Sequence, residues 1–469
     1  MACDPILTVY RVPTVARAPR PPVSAVDVAP VDRLFEYRRL DTILEMPHLA
    51  GSAILPAPVR YVPLSYDHTD SNTSARRLIV TLLPDWAHDE GSIGFVTFTN
   101  GITNTLLKAS LHRPGATEEE LDHEAVLLRA YGAGTDVLID RECRSHSLLS
   151  QHHLAPPLLA RFANGLLYKF VRGRVCSASD LARPPVWRAV ARRLGEWHAV
   201  LPVGPGASGP GEHVVTAPGA MPVTNGVGTG RVELNGRVVP NLWTVMHQWI
   251  QALPTTTEAA RKRKTTLERE GSRLMGDLGA LDGLGQDGVG IRPPGRISVL
   301  VFGHCDLLGG NIIIHPPPLG TTSKADVETV SFIDYEYATP SPAAFDIANF
   351  FAEWAGLECN YGALPTRSQR RAFLREYLCA FAHHSATRLD EEAELRRLFN
   401  HVDQFRGLPG FYWSIWALIQ ATISHIEFDY ASYAEARLAE YWAWRGETDG
   451  TRGPDCDMPL RERRWAMEA

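Results

Sequence analysis

The chain has 469 residues, of which 45% are hydrophobic and 21% are charged, and its formal net charge is −6. This is the composition of an ordinary globular protein long enough for two lobes, and the negative charge argues against general nucleic-acid binding. No apolar run approaches the length needed to cross a bilayer, so we expect no transmembrane segment.

The cysteine pattern favours a cytoplasmic location. Seven cysteines are scattered along the chain without a Cys-x-x-Cys pair, which argues against a disulfide framework or a zinc site. Residues 1–60 are predicted to be a disordered or poorly ordered extension, because the start of this segment is rich in Pro, Ala and Val. Three arginines within residues 11–20 leave a mitochondrial presequence open, although nearby prolines disfavour the amphipathic helix that it would need.

Residues 61–171 are predicted to form a small lobe that is rich in β-strands. Apolar periodicity predicts helices over residues 74–83 and 141–153. An alternating pattern predicts a strand over residues 93–98, and further strands are predicted over residues 105–111, 124–131, 137–139, 158–162 and 166–171. The last two strands flank Asn164-Gly165, a dipeptide that is typical of a tight hairpin.

Residues 172–450 are predicted to form a larger and mostly helical lobe, followed by a tail over residues 451–469. The helices are expected over residues 185–200, 242–253, 257–281, 369–384 and 391–403, with a long aromatic helical stretch over 411–445. Segments 203–230 and 283–295 are rich in Gly and are predicted to be loops, whose role the sequence does not indicate.

The most informative segment of the chain is His304-x-Asp306-x-x-x-x-Asn311, which has the spacing of a kinase catalytic loop. Phosphoryl transfer needs a carboxylate beside the attacking hydroxyl, and Asp306 is the candidate base. Asn311 and Asp334 are candidate ligands for Mg²⁺, which prefers hard oxygen donors. A chance match is the alternative, but apolar strands predicted at 312–314 and 330–333 flank the site and favour the catalytic interpretation.

Two further segments carry a resemblance to a known family. Residues 333–337 are Ile-Asp-Tyr-Glu-Tyr, and residues 345–354 are Phe-Asp-Ile-Ala-Asn-Phe-Phe-Ala-Glu-Trp. Over about residues 60–445 the chain resembles choline/ethanolamine kinases, and Phe-Thr-Asn-Gly-Ile-Thr-Asn at 98–104 is most similar to the ethanolamine kinases. The resemblance implies a two-lobed, protein-kinase-like α+β fold and an enzyme that uses ATP and Mg²⁺.

The resemblance also implies which residues bind the nucleotide. A turn formed by Asn100, Gly101, Ile102, Thr103 and Asn104 would lie over the ATP phosphates. Arg129 would face the phosphates, and a helix carboxylate at Glu142, or within two residues of it, would orient Arg129. Backbone groups of the segment from Lys169 to Val171 would hold adenine. Glu336 is implied as a further ligand for the metal or for water.

The acceptor site is implied to be an aromatic pocket with one carboxylate. Trp413 and Trp416 are three residues apart and therefore share a helix face. The resemblance places both, together with Tyr433, beside Glu353, where aromatic faces and a carboxylate would hold an ammonium group. The alternative is that these aromatic side chains pack into the core. For Asp346, a helix cap and a brace for the catalytic loop both remain open.

The resulting expectation is phosphorylation of the ethanolamine hydroxyl, the first step toward phosphatidylethanolamine. The alternatives are a choline kinase, a dual-specificity enzyme, or a catalytically silent nucleotide-binding protein. An aminoglycoside phosphotransferase would share the catalytic loop but would not need the aromatic residues with Glu353. Cys305 occupies a position where many members of the family have Asn. The partner is expected to be a small amino alcohol rather than nucleic acid, and a homodimer is left open.

Overall fold

The computed structural model describes residues 59–98, 105–131, 136–201, 203, 232–234, 237–239, 241–279, 300–317, 327–386, 388–424, 428–453 and 457–469. Nearly all of the predicted N-terminal extension therefore lies outside the described residues. The same holds for the predicted turn at 99–104, for the 203–230 segment apart from Val203, and for the 283–295 loop.

The small lobe is built on one six-stranded sheet with helices packed against it. Its strands β1 to β6 are Tyr61–Val62, Ile93–Phe98, Thr105–Leu111, Val126–Ala130, Leu158–Phe162 and Gly165–Lys169. Its helices α1 to α3 are Ser71–Leu82, Glu118–Glu124 and Asp136–Gln151. The strand order is β1-β5-β6-β4-β3-β2. All pairs are antiparallel except β1 with β5.

Most of the predicted elements of this lobe are confirmed. Strands β2 and β3 have the predicted bounds, and β5 and β6 form the predicted hairpin around Asn164. Helix α1 begins three residues before the predicted start and buries Leu78, Ile79 and Leu82, the apolar face that its periodicity indicates. The predicted strand at 137–139 is wrong, because these residues lie at the start of α3. Three apolar residues in a row suit either a strand or a helix turn, so periodicity cannot separate the two.

The large lobe is mostly helical, as expected. Its strands β7 to β13 are Arg174–Val175, Val232–Leu234, Arg237–Val239, Val301–Gly303, Ile312–Ile314, Val330–Phe332 and Thr339–Ser341. Its helices α4 to α13 are Ala178–Leu181, Pro184–Val200, Leu242–Ala252, Glu258–Gly279, Ala343–Ala352, Arg367–Ser385, Glu391–Phe405, Leu408–Ile423, Tyr430–Thr448 and Leu460–Ala466. The predicted aromatic stretch is thus divided between α11 and α12, and the C-terminal tail contains α13.

Short strands in the large lobe place the catalytic segment next to the connection between the lobes. Strand β11 pairs with β12 on one side and with β7 on the other, and β7 follows directly after the interlobe segment 170–173. Gly173 has a φ of +150°, and a Cβ atom there would lie 2.5 Å from the carbonyl oxygen of Ile314. Glycine is therefore required where the chain leaves the small lobe and passes close to β11.

Each lobe has its own hydrophobic core. One core is drawn from residues 62–167 and lies between the six-stranded sheet, α1 and Trp86. The other extends from Leu149 to Trp465 and includes residues of α5, α8, α9 and α11. Within the described parts of the chain, no helix is both long enough and apolar enough to span a membrane.

Candidate functional site

The predicted catalytic loop joins β10 to β11 and is held by hydrogen bonds within the loop. The side-chain Nδ2 of Asn311 donates to the backbone oxygen of Asp306 at 2.8 Å and to its carboxylate Oδ2 at 3.0 Å. Asn311 ends a single 3-10 turn, and its backbone oxygen accepts from the N–H of Ile333 at 3.0 Å. The predicted base and the predicted amide ligand therefore lie side by side, next to the strand that leads to Asp334.

Asp346 braces the catalytic loop from α8. Its Oδ2 accepts from the backbone N–H of His304 at 2.9 Å, and its Oδ1 accepts from that of Cys305 at 2.7 Å. Cys305 has a φ of +63°, a left-handed conformation that non-glycine residues adopt at a cost in free energy. Of the two roles left open for Asp346, the structure shows the brace.

A buried polar network connects this brace to two further helices. His198 of α5 bonds through Nε2 to Asp346 and through Nδ1 to the hydroxyl of Tyr377 on α9, each at 2.9 Å. Asn349, three residues after Asp346, donates to the backbone oxygen of Cys305 at 3.2 Å. All of these side chains are buried, so the start of the loop at His304 and Cys305 is fixed against α5, α8 and α9.

Arg129 of β4 connects the small lobe to the predicted metal ligand Asp334. Both Nη1 and Nη2 donate to Oδ1 of Asp334 at 3.1 Å. The same guanidinium lies 3.3 Å from Oε1 of Glu142 on α3 and 3.6 Å from Oε2 of Glu336. The implied contact between Arg129 and Glu142 is therefore present, and the two side chains are buried.

The charge on Arg129 is strongly stabilised. Burial works against the charged form, but Asp334 and Glu142 outweigh that effect and hold the pKa of Arg129 well above its usual value. Tyr131, at the end of β4, donates its hydroxyl hydrogen to Oε2 of Glu142, and its ring lies 5.4 Å from the guanidinium carbon of Arg129. The carboxylate of Glu142 thus interacts with the guanidinium of Arg129 and with the hydroxyl of Tyr131 at the same time.

Asp306 lies in an acidic environment. Burial raises the pKa of its carboxyl well above the usual range, and the charges of Asp334, Glu353 and Glu336 raise it further. The hydrogen bond from Asn311 acts in the opposite direction. A carboxylate with a raised pKa is a stronger base, which suits proton removal from an alcohol.

The oxygen donors near Asp306 fit a magnesium ion that is also bound by phosphates. Asn311, just before β11, and Asp334, just after β12, offer an amide oxygen and a carboxylate at the same end of this strand pair, and Glu336 follows two residues later. Within the described residues there is no cluster of three or more His, Cys, Asp or Glu side chains that could hold a metal alone. Mg²⁺ at kinase sites is held by one or two protein ligands together with phosphate oxygens and water, so the donor set is suitable.

Aromatic residues of α11 form one wall of the predicted acceptor site. The rings of Trp413 and Trp416 lie 5.5 Å apart, and the ring of Tyr337 lies 5.4 Å from that of Trp413. The indole Nε1 of Trp416 donates to the hydroxyl of Tyr337 at 2.9 Å. Burial raises the pKa of Tyr337 well above its usual value, and the charges of Glu336 and Asp306 raise it further.

The predicted acceptor carboxylate, Glu353, is buried and paired with a cation. Its Oε1 accepts from Nη2 of Arg437 on α12 at 3.2 Å. Burial raises the pKa of Glu353, and the charge of Arg437 offsets part of that rise. Tyr433 lies one helical turn before Arg437, and its ring centroid is 5.8 Å from the guanidinium carbon. Glu353 and Tyr433, which the resemblance places in the acceptor site, thus both contact Arg437.

The predicted nucleotide-binding residues are only partly described. Asn100, Gly101, Ile102, Thr103 and Asn104 lie outside the described residues. Lys169 ends β6, and Val171 lies in the segment that leads to the large lobe. The backbone N–H of Lys169 donates to Pro157 and that of Phe170 to Ala125, so these two donors already serve the small lobe.

Sequence reasoning missed several residues of the site. Tyr337 ends the Ile-Asp-Tyr-Glu-Tyr segment, and its position three residues after Asp334 was a signal that it belongs to the site. Arg437 follows Tyr433 by four residues and therefore faces the same side of α12. The contact between His198 and Asp346 spans 148 residues of sequence, and no local pattern indicates it.

A comparison with family models supports the resemblance on which these assignments rest. The model described as choline/ethanolamine kinase matches residues 95–442. The matched range contains the catalytic loop, Arg129 and Glu353. It also contains Trp413, Trp416 and Tyr433.

Similar proteins with curated names agree with this match. The chain is 32% identical to ethanolamine kinase 1 of Mus musculus, an alignment that covers 81% of this chain and 91% of that protein. It is 30% identical to ethanolamine kinase 2 of Homo sapiens, covering 85% of this chain and 87% of that protein.

Solved structures agree in fold. An ethanolamine kinase of Plasmodium vivax has a TM-score of 0.56 at 22% identity and covers 80% of this chain and 89% of its own. A choline kinase of Cryptosporidium parvum has a TM-score of 0.54 at 19% identity, covering 80% and 96%. At these identities the structural similarity supports the kinase-like fold but does not indicate which acceptor is phosphorylated.

Proposed function

The chain belongs to the choline/ethanolamine kinase family, and from this premise we propose that it transfers the γ-phosphoryl group of ATP to the hydroxyl of ethanolamine. The product would be phosphoethanolamine, the first intermediate toward phosphatidylethanolamine. The observation that carries the proposal is the geometry around Asp306, whose carboxylate accepts a 3.0 Å hydrogen bond from Asn311. The backbone oxygen of Asn311 accepts from Ile333, directly before Asp334, and Asp334 accepts two hydrogen bonds from Arg129 at 3.1 Å.

Asp306 is the general base of the proposed reaction. It accepts the proton of the ethanolamine hydroxyl as the oxygen forms a bond to the γ-phosphorus and the bond from phosphorus to the leaving ADP oxygen breaks. Asn311 keeps the carboxylate in place through its 3.0 Å hydrogen bond. The Asp346 brace holds the loop backbone, so the base is positioned before the substrate arrives.

The phosphate side supplies positive charge. Arg129 offers a planar guanidinium in a buried position, and Glu142 and Tyr131 keep that position defined. Asn311 and Asp334, with Glu336 as a third donor, would hold Mg²⁺. The bound ion would neutralise charge on the transferred phosphoryl group.

The acceptor side favours a primary ammonium group. A primary ammonium has three N–H donors and needs acceptors, whereas a quaternary ammonium needs only aromatic faces. Glu353 is a buried carboxylate in the same region as Tyr433 and Asp306, and it provides such an acceptor. Trp413, Trp416 and Tyr337 provide the aromatic faces.

Choline phosphorylation is the second candidate, because the aromatic group would also accept a quaternary ammonium. A catalytically silent protein is not favoured, since Asp306, Asn311 and Asp334 are all present and adjacent.

The five cysteines that the structure describes are free thiols, which supports the proposed cytoplasmic location.

The test is a comparison of acceptors that differ by one methyl group. Initial rates are measured with MgATP and ethanolamine, N-methylethanolamine, N,N-dimethylethanolamine or choline, and phosphorylated products are identified by mass spectrometry. We expect kcat/KM to fall with each methyl group, because each one removes an N–H donor to the carboxylate of Glu353. A rising series would assign the protein as a choline kinase. ATP binding without turnover of any acceptor would favour the silent alternative.

A further inference from the structure

The acceptor carboxylate is the first member of a buried chain of charges that leads away from the active site. Nη2 of Arg437 lies 3.2 Å from Oε1 of Glu353, and Nε of Arg437 lies 3.6 Å from Oε2 of Glu440. The same oxygen of Glu440 lies 3.7 Å from Nε of Arg461 on α13. Three buried elements, α8 with the turn after it, α12 and α13, are thus connected through charged side chains.

The chain of charges ends on the C-terminal helix. Nη1 of Arg461 donates to Oε1 of Glu462 at 2.9 Å, and Nη2 of Arg406 lies 2.8 Å from Oε2 of Glu462. Three carboxylates therefore alternate with three guanidinium groups, and apart from Arg406 these side chains belong to buried residues. Buried charges are tolerated only when they are paired, so the removal of one member must affect its neighbours.

Arg461 decides how Arg437 is shared between two carboxylates. With Arg461 in place, Glu440 has a cation on each side, and Arg437 can direct a hydrogen bond to Glu353. Without Arg461, Glu440 keeps only Arg437 as an ion-pair partner among the described residues, and Arg437 is then shared between Glu353 and Glu440. Glu462 would still be paired with Arg406. The excess negative charge therefore lies on Glu440 and Glu353, at the end of the series of ion pairs that faces the acceptor.

We propose that the C-terminal helix α13 is part of the acceptor site, and that Arg461 is a positioning residue that sets the orientation of Glu353 through Glu440 and Arg437. The inference rests on the proposed function. Arg461 lies beyond the residues 95–442 that match the family model, so the assignment adds a segment outside that range to the acceptor site.

The helix has anchors that do not depend on Arg461, which makes the inference testable by substitution. The indole Nε1 of Trp465 donates to Asp403 at 2.8 Å. The guanidinium carbon of Arg370 lies 3.8 Å from the ring centroid of Trp465, and its Nη1 donates to the backbone oxygen of Trp465 at 3.0 Å. An Arg461→Met variant therefore keeps α13 docked while it removes one charge.

The experiment measures KM for ethanolamine and KM for MgATP in the full-length protein and in four variants. In Arg461→Met we expect KM for ethanolamine to rise about five- to tenfold, with KM for MgATP changed less than about twofold. Arg461→Lys keeps the charge and should stay close to wild type. The double variant Arg461→Met/Glu440→Gln restores the charge balance and should recover most of the lost acceptor affinity. Arg463→Met, on the exposed side of the same helix, is the matched control.

Two results would overturn the inference. One is an unchanged KM for ethanolamine in Arg461→Met. The other is a fall in kcat and in thermal stability together with a rise in both KM values. If Glu440→Gln does not relieve these changes, they indicate a structural role alone. Failure of the proposed function is recognised separately, since the wild-type protein would then not turn over ethanolamine.

Discussion

Substitution of Asp306 by Asn should lower activity and raise stability in the same protein. The substitution keeps the shape of the side chain, and its amide oxygen can still accept the 3.0 Å hydrogen bond from Asn311. What is lost is the negative charge and the ability to take a proton. General bases contribute about 10²- to 10⁴-fold to the rate, so we expect kcat to fall by at least about 100-fold.

The expected gain in stability follows from the direction of the pKa shift. Burial and the charges of Asp334, Glu353 and Glu336 raise the pKa of Asp306 in the folded protein above its value in the unfolded chain. Such a group lowers the free energy of unfolding as pH rises through the interval between the two pKa values. The Asp306→Asn variant never carries this charge, so its free energy of unfolding should exceed that of the wild-type protein near pH 8.

Two assays separate these effects. ADP release with MgATP and ethanolamine gives kcat, and urea unfolding in the absence of MgATP gives the free energy of unfolding. Asp334→Asn is the matched control, because that side chain accepts two hydrogen bonds from Arg129 and its loss should lower activity and stability together. An Asp306→Asn variant with more than about a tenth of wild-type kcat, or with reduced stability, would refute the reasoning.

Three further predictions concern the brace, a buried histidine and the aromatic wall. Asp346→Asn should lower the free energy of unfolding by about 3 kcal/mol or more, since an amide cannot accept all three hydrogen bonds of the carboxylate; urea unfolding measures this. His146 is buried and its pKa is lowered by burial from 6.5 to about 4, so stability should fall by up to about 3 kcal/mol as pH drops from 6.5 to 4. His146→Gln should flatten that dependence in urea unfolding. Trp416→Leu should raise KM for ethanolamine about tenfold by removing an aromatic face, with KM for MgATP unchanged in steady-state kinetics.

Each of these outcomes has a result that would contradict it. For the brace, the exposed change Asp89→Asn serves as control, and equal stability of the two variants would exclude the role of Asp346. An identical pH dependence in wild type and His146→Gln would show that other groups control acid stability. A similar rise in both KM values for Trp416→Leu would indicate a general packing defect instead of a lost acceptor contact.

Local patterns predicted much of the fold. The predicted bounds of the strands over residues 93–98 and 105–111 match the structure, and Ile93, Leu107 and Leu111 of these strands enter the core of the small lobe. The 137–139 segment failed because a short apolar run has no period of its own, and the choice of helix depends on the rest of α3.

The candidate site was predictable where chemistry requires a short spacing. Asp306 and Asn311 are five residues apart, and their hydrogen bond is local. The hydrogen-bond partner of Glu353 is Arg437, which is 84 residues away in the sequence. The sequence alone does not distinguish a buried arginine from an exposed one. Contacts of this kind depend on how α8 and α12 meet, and single-sequence reasoning has no access to that packing.

The left-handed backbone at Cys305 limits which residues this position can accept. Side chains branched at Cβ are excluded by the φ of +63°, and bulky ones by complete burial. Sγ of Cys305 lies 3.8 Å from the backbone oxygen of Thr339, and the buried hydroxyls of Thr339 and Ser341 have no hydrogen-bond partner among the described residues. An Asn side chain tolerates this backbone and carries an amide that can form hydrogen bonds. Backbone handedness and burial, rather than thiol chemistry, thus decide the residue at 305, and a saturation library would recover small and amide-bearing side chains there.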